Sequence, residues 1–201
     1  SEKGFTLVEL AIVLIIVGLL ITGVLKGQEL IRNAEISSAA SAVRAYDAAV
    51  LTFQDTYAAF PGDMLQTAAR NRIPNCTTCI GAGAGASNGV LAAAPGSTGN
   101  AGEQLGFWHQ LGGANLISSD VVVASLNLNP TTPVDGFWSA GYHAGTANMA
   151  ISGAAAPRGH YLVIAGNATG ASASPEASPI SAAALDQKLD DGIPNSGTVQ
   201  A

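Results

Sequence analysis

The N-terminal part of the chain is almost continuously apolar. Between residues 5 and 25 the only polar side chains are Thr6, Glu9 and Thr22. A helix of this length spans about 30 Å, which is enough to cross the hydrocarbon core of a bilayer. The run is longer than the apolar part of a secretory signal, and no A-x-A-like cleavage site follows it closely. We therefore expect the segment to be retained.

The helical pattern continues beyond the apolar run, but on one side only. Apolar side chains recur at alternating spacings of three and four residues, which indicates one buried stripe on an amphipathic helix. Pro61-Gly62 should stop this helix, because proline disfavours a helical residue before it. The pattern predicts one helix from about Phe5 to Phe60, on the order of 80 Å long. Its stripe consists of Ile36, Ala39, Val43, Tyr46, Val50, Phe53, Tyr57 and Phe60.

The rest of the chain predicts a head of short elements. Residues 102–117 should form a short helix that stops at Gly112-Gly113, and residues 76–102 a long irregular loop rich in Gly, Ala and Ser. Three segments have the β-branched and aromatic content of strands. No helix of crossover length separates them, so an antiparallel sheet is expected. These predicted strands are residues 120–128, 149–153 and 160–166.

The predicted fold class is α+β, with a long N-terminal hydrophobic helix as a spine. The C-terminal half of this spine should pack on a small antiparallel sheet in a head with long Gly/Ala/Ser-rich loops. We divide the chain into residues 1–4, a leader remnant or N-terminal extension; 5–27, the hydrophobic transmembrane or filament-core helix; 28–60, the amphipathic half of that helix; and 61–201, the globular head.

Charge is scarce and mostly acidic. The net charge is -6, charged residues make up 11% of the chain, and between Ile73 and Pro157 the only formal charges are those of Glu103, Asp120 and Asp135. Such a surface has no basic patch for phosphates, so we expect no nucleic acid partner.

Glu9 is the unusual residue of the apolar run. A carboxylate in hydrocarbon costs up to about 2.5 to 3.5 kcal/mol at mid-membrane on insertion scales, so Glu9 needs a partner. Lys3 lies six residues earlier, on a different helix face. A cut between Gly4 and Phe5 would create an α-amino group four residues before the acid, where it could pair with Glu9 of its own or of an adjacent chain.

Residues 3–10, Lys-Gly-Phe-Thr-Leu-Val-Glu-Leu, and the apolar run behind them resemble the prepilin peptidase site of type IV pilins and of type II secretion pseudopilins. The resemblance implies cleavage after Gly4, methylation of the Phe5 amine, and pairing of Glu9 with the terminal amine of a neighbouring subunit. It also implies prepilin peptidase and the pilus assembly machinery as partners. The chain would wait in the bacterial inner membrane with its head outside the cytoplasm and then enter an extracellular helical filament of identical subunits.

The sequence starts four residues before the mature end that this resemblance implies. We expect residues 1–4 to be the tail of an uncut leader or an extension that the subunit keeps. In the second case the Phe5 amine is blocked, and Glu9 needs another cation, such as Lys3 or the Ser1 amine of a neighbour.

Cys76-Thr77-Thr78-Cys79 is a CxxC motif with several interpretations. A zinc site needs about four ligands, and the chain has no second CxxC. In an exported protein two cysteines mostly form one disulfide, which is the pairing that we predict, although redox chemistry, metal binding and free thiols remain alternatives.

The C-terminal stretch from Ala184 carries a group of acids, Asp186, Asp190 and Asp191. Several carboxylates near a turn could bind Ca²⁺, although their spacing is not that of an EF-hand. The "DDG" segment also resembles the closing segment of pilin-like proteins, a number of which bind calcium near the C-terminus. The interpretation that we favour is that Asp190 and Asp191 cap a turn, with Lys188 paired to one of them, and the calcium site is the alternative.

The sequence has no recognisable catalytic constellation, and we expect a structural protein rather than an enzyme, with no required cofactor. The leading hypothesis is the major pilin of a type IV pilus, or of a similar filament suited to adhesion or motility. A pseudopilin of type II secretion is the alternative. A membrane-anchored redox or metal-binding protein that uses Cys76 and Cys79 is the second alternative.

Overall fold

The computed structural model describes residues 4, 6–76, 79–82, 87–92, 102–118, 129–145, 158–166, 177–193 and 196–199. Within these residues a long helix leads into a head with three short helices and two strands, so the α+β prediction is confirmed. The described elements are, in chain order, α1 (Leu7–Tyr57), α2 (Gln66–Arg72), α3 (Glu103–Gly113), β1 (Phe137–His143), β2 (Gly159–Ala165) and α4 (Pro179–Leu189).

Both ends of α1 have identifiable caps. Thr6 is the N-cap, and Ala58 ends the helix in the left-handed conformation with a φ of 51°. The guanidinium group of Arg72, on α2, donates a hydrogen bond of 3.0 Å to the carbonyl of Tyr57. The helix thus ends three residues before the predicted end at Phe60, because local capping acts ahead of Pro61.

The predicted stripe of α1 faces the head. Ile36, Ala39 and Phe53 are buried, the last two completely, and the other stripe residues are partly buried against the same core. The ring of Tyr46 makes edge-on contacts with Trp108 of α3 and Trp138 of β1, with centroid distances of 5.2 and 5.9 Å. One aromatic ring therefore joins the long helix to α3 and to the sheet.

Helix α3 is the centre of the head, since every one of its residues is buried. The predicted helix within residues 102–117 and its stop at Gly112-Gly113 are confirmed. Gln110 fixes α3 to its surroundings: its side-chain oxygen accepts from the backbone N–H of Gly62, and its nitrogen donates to the carbonyls of Met64 and Ile80. Gly62 has a φ of +89°, and a Cβ there would collide with the backbone of Glu103.

The sheet is antiparallel, as predicted. Strand β1 pairs with β2 in a register that runs from Phe137 opposite Ala165 to His143 opposite Gly159. Strand β2 matches the prediction for residues 160–166, whereas β1 was not predicted. The other two predicted strands, residues 120–128 and 149–153, lie outside the described residues.

Helices α2 and α4 were not predicted either. Helix α4 packs against α1 and starts with Ser178 as its N-cap, whose hydroxyl accepts from the backbone N–H of Ser181. Lys188, in the last turn of α4, donates to the hydroxyl of Ser37 on α1 at 2.5 Å. The C-terminal region of the chain is thereby attached to the start of the buried half of α1.

Candidate functional site

The N-terminal site is built by a capping box. The side chain of Glu9 accepts hydrogen bonds of 2.8 Å from both the backbone N–H and the hydroxyl of Thr6, and the Thr6 hydroxyl accepts from the Glu9 N–H at 3.3 Å. This reciprocal arrangement satisfies backbone donors at the start of α1. Gly4 precedes the helix, while Lys3 and Phe5 lie outside the described residues. In the single chain, Thr6 is thus a local partner for the Glu9 carboxylate.

Behind Glu9, α1 presents an uncovered apolar surface. The large apolar side chains from Leu7 to Leu25 are all more than two-fifths exposed, from 43% at Val17 to 87% at Leu7. By length and composition, α1 qualifies as a membrane-spanning helix among the described residues, and none of its most apolar window is buried in the chain. Contiguous exposed apolar surface of this extent marks a contact with lipid or protein.

An ion pair on α1 directly follows this apolar surface, which ends at Leu25. The ammonium of Lys26 lies 2.7 Å from a carboxylate oxygen of Glu29, and no other ion pair is found within the described ranges. Two large apolar side chains follow the pair, Leu30 at 60% and Ile31 at 61% exposure.

Cys76 and Cys79 form the predicted disulfide, with their Cα atoms 4.9 Å apart. The bridge is buried, since the two residues are only 0% and 4% exposed, and the Cys79 sulfur lies 3.2 Å from the carbonyl oxygen of His109 on α3. The bridge therefore packs its segment beneath α3.

The structure brings the three C-terminal acids together. Carboxylate oxygens of Asp186, Asp190 and Asp191 all lie within 4.8 Å of one another. Asp186 belongs to α4 and is fully buried, and neither of its carboxylate oxygens has a hydrogen-bond partner among the described residues. A buried carboxylate without a partner is costly, because the lost hydration is not replaced. The sequence did not reveal this feature, since it depends on the packing of α4.

Asp190 and Asp191 also form the predicted turns, through hydrogen bonds to nearby residues. Asp190 accepts from the backbone N–H groups of Thr198 and Val199. Those two backbone donors, Val199 first, hold the pKa of Asp190 below its usual value. Asp191 accepts from the Ile193 N–H and the Ser196 hydroxyl at 2.8 and 2.6 Å.

The expected pairing of Lys188 with one of these acids is wrong. Its ammonium donates to Ser37 instead, because α4 lies along α1 and directs this side chain towards that helix. The acid group therefore has no lysine or arginine in salt-bridge contact within the described part of the chain.

Two further buried acids, Asp63 and Glu103, hold residues 87–92 onto the head. Asp63 accepts from the N–H groups of Asn88 and Gly89, and Glu103 accepts from the Ala92 N–H at 2.6 Å. Burial raises the pKa of Glu103, the Ala92 N–H opposes this shift, and the charge of Asp63 adds to it. Within residues 87–92, the hydrogen bonds that the two acids accept come from backbone N–H groups, which any side chain at those positions would leave in place.

Comparison with known proteins identifies the N-terminal region. Residues 1–25 match the family model for the prokaryotic N-terminal methylation motif. No curated protein and no solved structure gives a significant match to the chain. The matched range includes the Gly4 position, the Thr6–Glu9 capping box and the exposed apolar surface up to Leu25. This chain therefore carries the N-terminal signature of type IV pilins and pseudopilins.

Proposed function

We propose that this chain is the major structural subunit of a type IV pilus or of a closely similar extracellular filament. The observation that carries the proposal is the pairing of a methylation motif with an apolar helix surface that the chain leaves uncovered. A subunit needs this surface twice: it faces lipid in the inner membrane before assembly, and neighbouring helices afterwards. Since apolar contacts replace apolar contacts, the transfer costs little.

Glu9 sets the axial position at which each subunit joins the filament. In the single chain, Thr6 supplies two donors to the Glu9 carboxylate. After cleavage at Gly4, the methylated amine of Phe5 in a neighbouring subunit offers a charged donor, which forms a stronger hydrogen bond than a neutral hydroxyl. The carboxylate then favours the one axial position at which the two groups meet.

The first experiment is electron microscopy of sheared surface material, combined with mass analysis of the subunit's N-terminus. We expect filaments of micrometre length built from a chain that begins with methylated Phe5. A secretion defect in the deletion strain without surface filaments would favour the pseudopilin alternative. Filaments built from an uncut chain would refute the assigned cleavage site but not the filament.

The buried disulfide bears on the membrane-anchored redox alternative. Thiol exchange needs access of a thiolate to sulfur, whereas Cys76 and Cys79 are packed beneath α3. Intact-mass measurement should find the bridge unchanged in mild reductant. Rapid reduction of the folded chain would favour the redox alternative instead.

We propose, in addition, that Asp186, Asp190 and Asp191 bind one Ca²⁺ ion. The buried carboxylate of Asp186 supports the site, because a cation would compensate its charge, and Ca²⁺ prefers several carboxylate oxygens. The turns at Asp190 and Asp191 do not compete with this role, since each ionised carboxylate has about four acceptor positions.

Thermal unfolding of the full chain in detergent tests the calcium site. Calcium at 100 times its dissociation constant should stabilise the head by about 2.7 kcal/mol relative to chelator, and Asp186→Asn should lose this response. Asp55→Asn, which changes an exposed acid on α1, is the matched control and should keep it. If the unmodified chain has the same melting temperature in calcium and in chelator, the three acids do not bind calcium, and Asp190 and Asp191 only form turns.

A further inference from the structure

We propose that the Lys26–Glu29 ion pair is covered, as a neutral unit, by a second copy of this chain in the filament. This inference rests on the proposed function and extends it to a contact beyond the methylation motif. It makes the pair a specificity element of the subunit interface rather than a solvated pair on the helix surface.

The pair lies between the end of the apolar run and two further exposed apolar side chains. Leu25 precedes it at 61% exposure, and Leu30 and Ile31 follow it at 60% and 61%. Leu30 lies one helical turn beyond Lys26, on the same face. Because both charged groups stand between these apolar side chains, a contact that covers Leu25 and Leu30 also covers the pair.

Neither a bilayer nor the chain's own head would cover Leu30 and Ile31. The helix from Leu7 to Ile31 is on the order of 37 Å long, whereas the hydrocarbon core is about 30 Å thick. The head begins to bury α1 only at Ile36. Leu30 and Ile31 lie within two helical turns of Leu25, the end of the apolar segment that faces neighbouring subunits in the proposed filament, so a second copy is the occupant that fits.

The internal ion pair makes such a cover feasible. The ammonium and the carboxylate lie 2.7 Å apart within one helix, so each copy brings its own neutralised pair into the contact. An exposed pair contributes little, and loss of one partner there changes little. In a covered pair, loss of one partner leaves an uncompensated buried charge, whereas loss of both leaves none. Single and double variants therefore distinguish the two situations.

The test compares the ratio of sheared filament to membrane-bound subunit for five variants of the full chain in cells. Lys26→Gln and Glu29→Gln should each lower this ratio about tenfold or more. The double Lys26→Gln, Glu29→Gln variant and the exchange of Lys26→Glu with Glu29→Lys should restore it to within about threefold of the original chain. Lys26→Arg keeps the charge and should also stay within about threefold. Immunoblots of the membrane fraction control for folding.

If the single variants keep a ratio of filament to membrane-bound subunit within about threefold of that of the original chain, the pair stays solvated and the inference is overturned. A double variant no better than the single ones would overturn it too, since the two charges would then act separately. A fall in membrane-bound subunit at an unchanged ratio would assign Lys26 to the bilayer surface instead. Failure of the original chain to form any filament would refute the proposed function itself.

Discussion

The two halves of α1 share one hydrogen-bonded helix but differ in where their partners lie. In the first half, large apolar side chains such as Leu14, 63% exposed, have no cover within the chain. In the second half, Ala39 and Phe53 are fully buried against the head. The hydrophobic effect acts on both halves through the apolar area removed from water. The second half gains that burial by folding, and the first half has to gain it from lipid or from another molecule.

This difference separates folding from assembly within one helix. A substitution in the second half should change the free energy of unfolding of the head, because its contacts lie inside the chain. A substitution in the first half should change association and leave the head intact. This separation is wrong if substitutions in the first half lower the free energy of unfolding of the head, or if substitutions of exposed residues in the second half abolish association.

The largest effect is expected from Glu9→Gln. The neutral amide keeps a hydrogen-bonding side chain near Thr6 but cannot form an ion pair with a neighbour's amine, so filament abundance should fall by about a hundredfold, as loss of a buried charged partner predicts. Shear fractionation with electron microscopy measures the abundance. Thermal unfolding of the full chain in detergent should be unchanged, because Glu9 does not contact the head.

Asp47→Asn is the matched control for Glu9→Gln, since it neutralises an exposed acid in the second half of α1. Its filament abundance should equal that of the original chain. Normal filaments from Glu9→Gln would contradict the assembly role of the acid and with it the separation of the two halves.

The next effect concerns the buried side of the comparison. Trp108, 0% exposed, packs edge-on against Tyr46. Trp108→Ala should lower the free energy of unfolding by about 3 to 5 kcal/mol, as for other large core truncations. Leu51→Ala removes a side chain that is 66% exposed on the opposite face of α1 and should cost less than about 0.5 kcal/mol. Chemical denaturation in detergent, followed by near-ultraviolet circular dichroism, measures both. Equal losses for the two variants would mean that the head does not organise around α3.

The sequence predicted those elements whose pattern is long or strongly periodic. The three-and-four spacing from Ile36 to Tyr57 extends through about six helical turns, so α1 and its buried face could be recognised without a structure. The end of α1 could not, because Ala58 adopts a left-handed conformation that no sequence rule assigns to alanine. Helix α2 has only 7 residues, too few for a period to show.

Strand β1 and helix α4 were missed for other reasons. Phe137–His143 has small residues at its centre, and only its pairing with β2 makes it a strand. Helix α4 lies in a Ser/Ala-rich part of the sequence and has no clear apolar face of its own. Its packing on α1 stabilises it. The three C-terminal acids were visible as residue types, but the burial of Asp186 is a tertiary property that residue type does not reveal.

The smallest expected effect is a pH dependence in the head. Burial raises the pKa of Glu103 above its ordinary value, so the folded chain holds the proton more tightly than the unfolded chain does. The stability that this carboxyl contributes is therefore present at acid pH, and it is lost as the pH rises through the folded-state pKa.

Glu103→Gln stays neutral at every pH and should escape that loss. Its free energy of unfolding, relative to the original chain, should increase as the pH rises from 4 to 7. Chemical denaturation at several pH values measures the difference. The charge of Asp63 repels the ionised Glu103 carboxylate but not the neutral glutamine side chain, which adds to the expected trend. A difference that decreases with pH would mean that the hydrogen bond from Ala92 outweighs the cost of burying the charge. In that case the Glu103 carboxylate, although it is buried in the head, would be stabilised by a local hydrogen-bond donor, as the Glu9 carboxylate is.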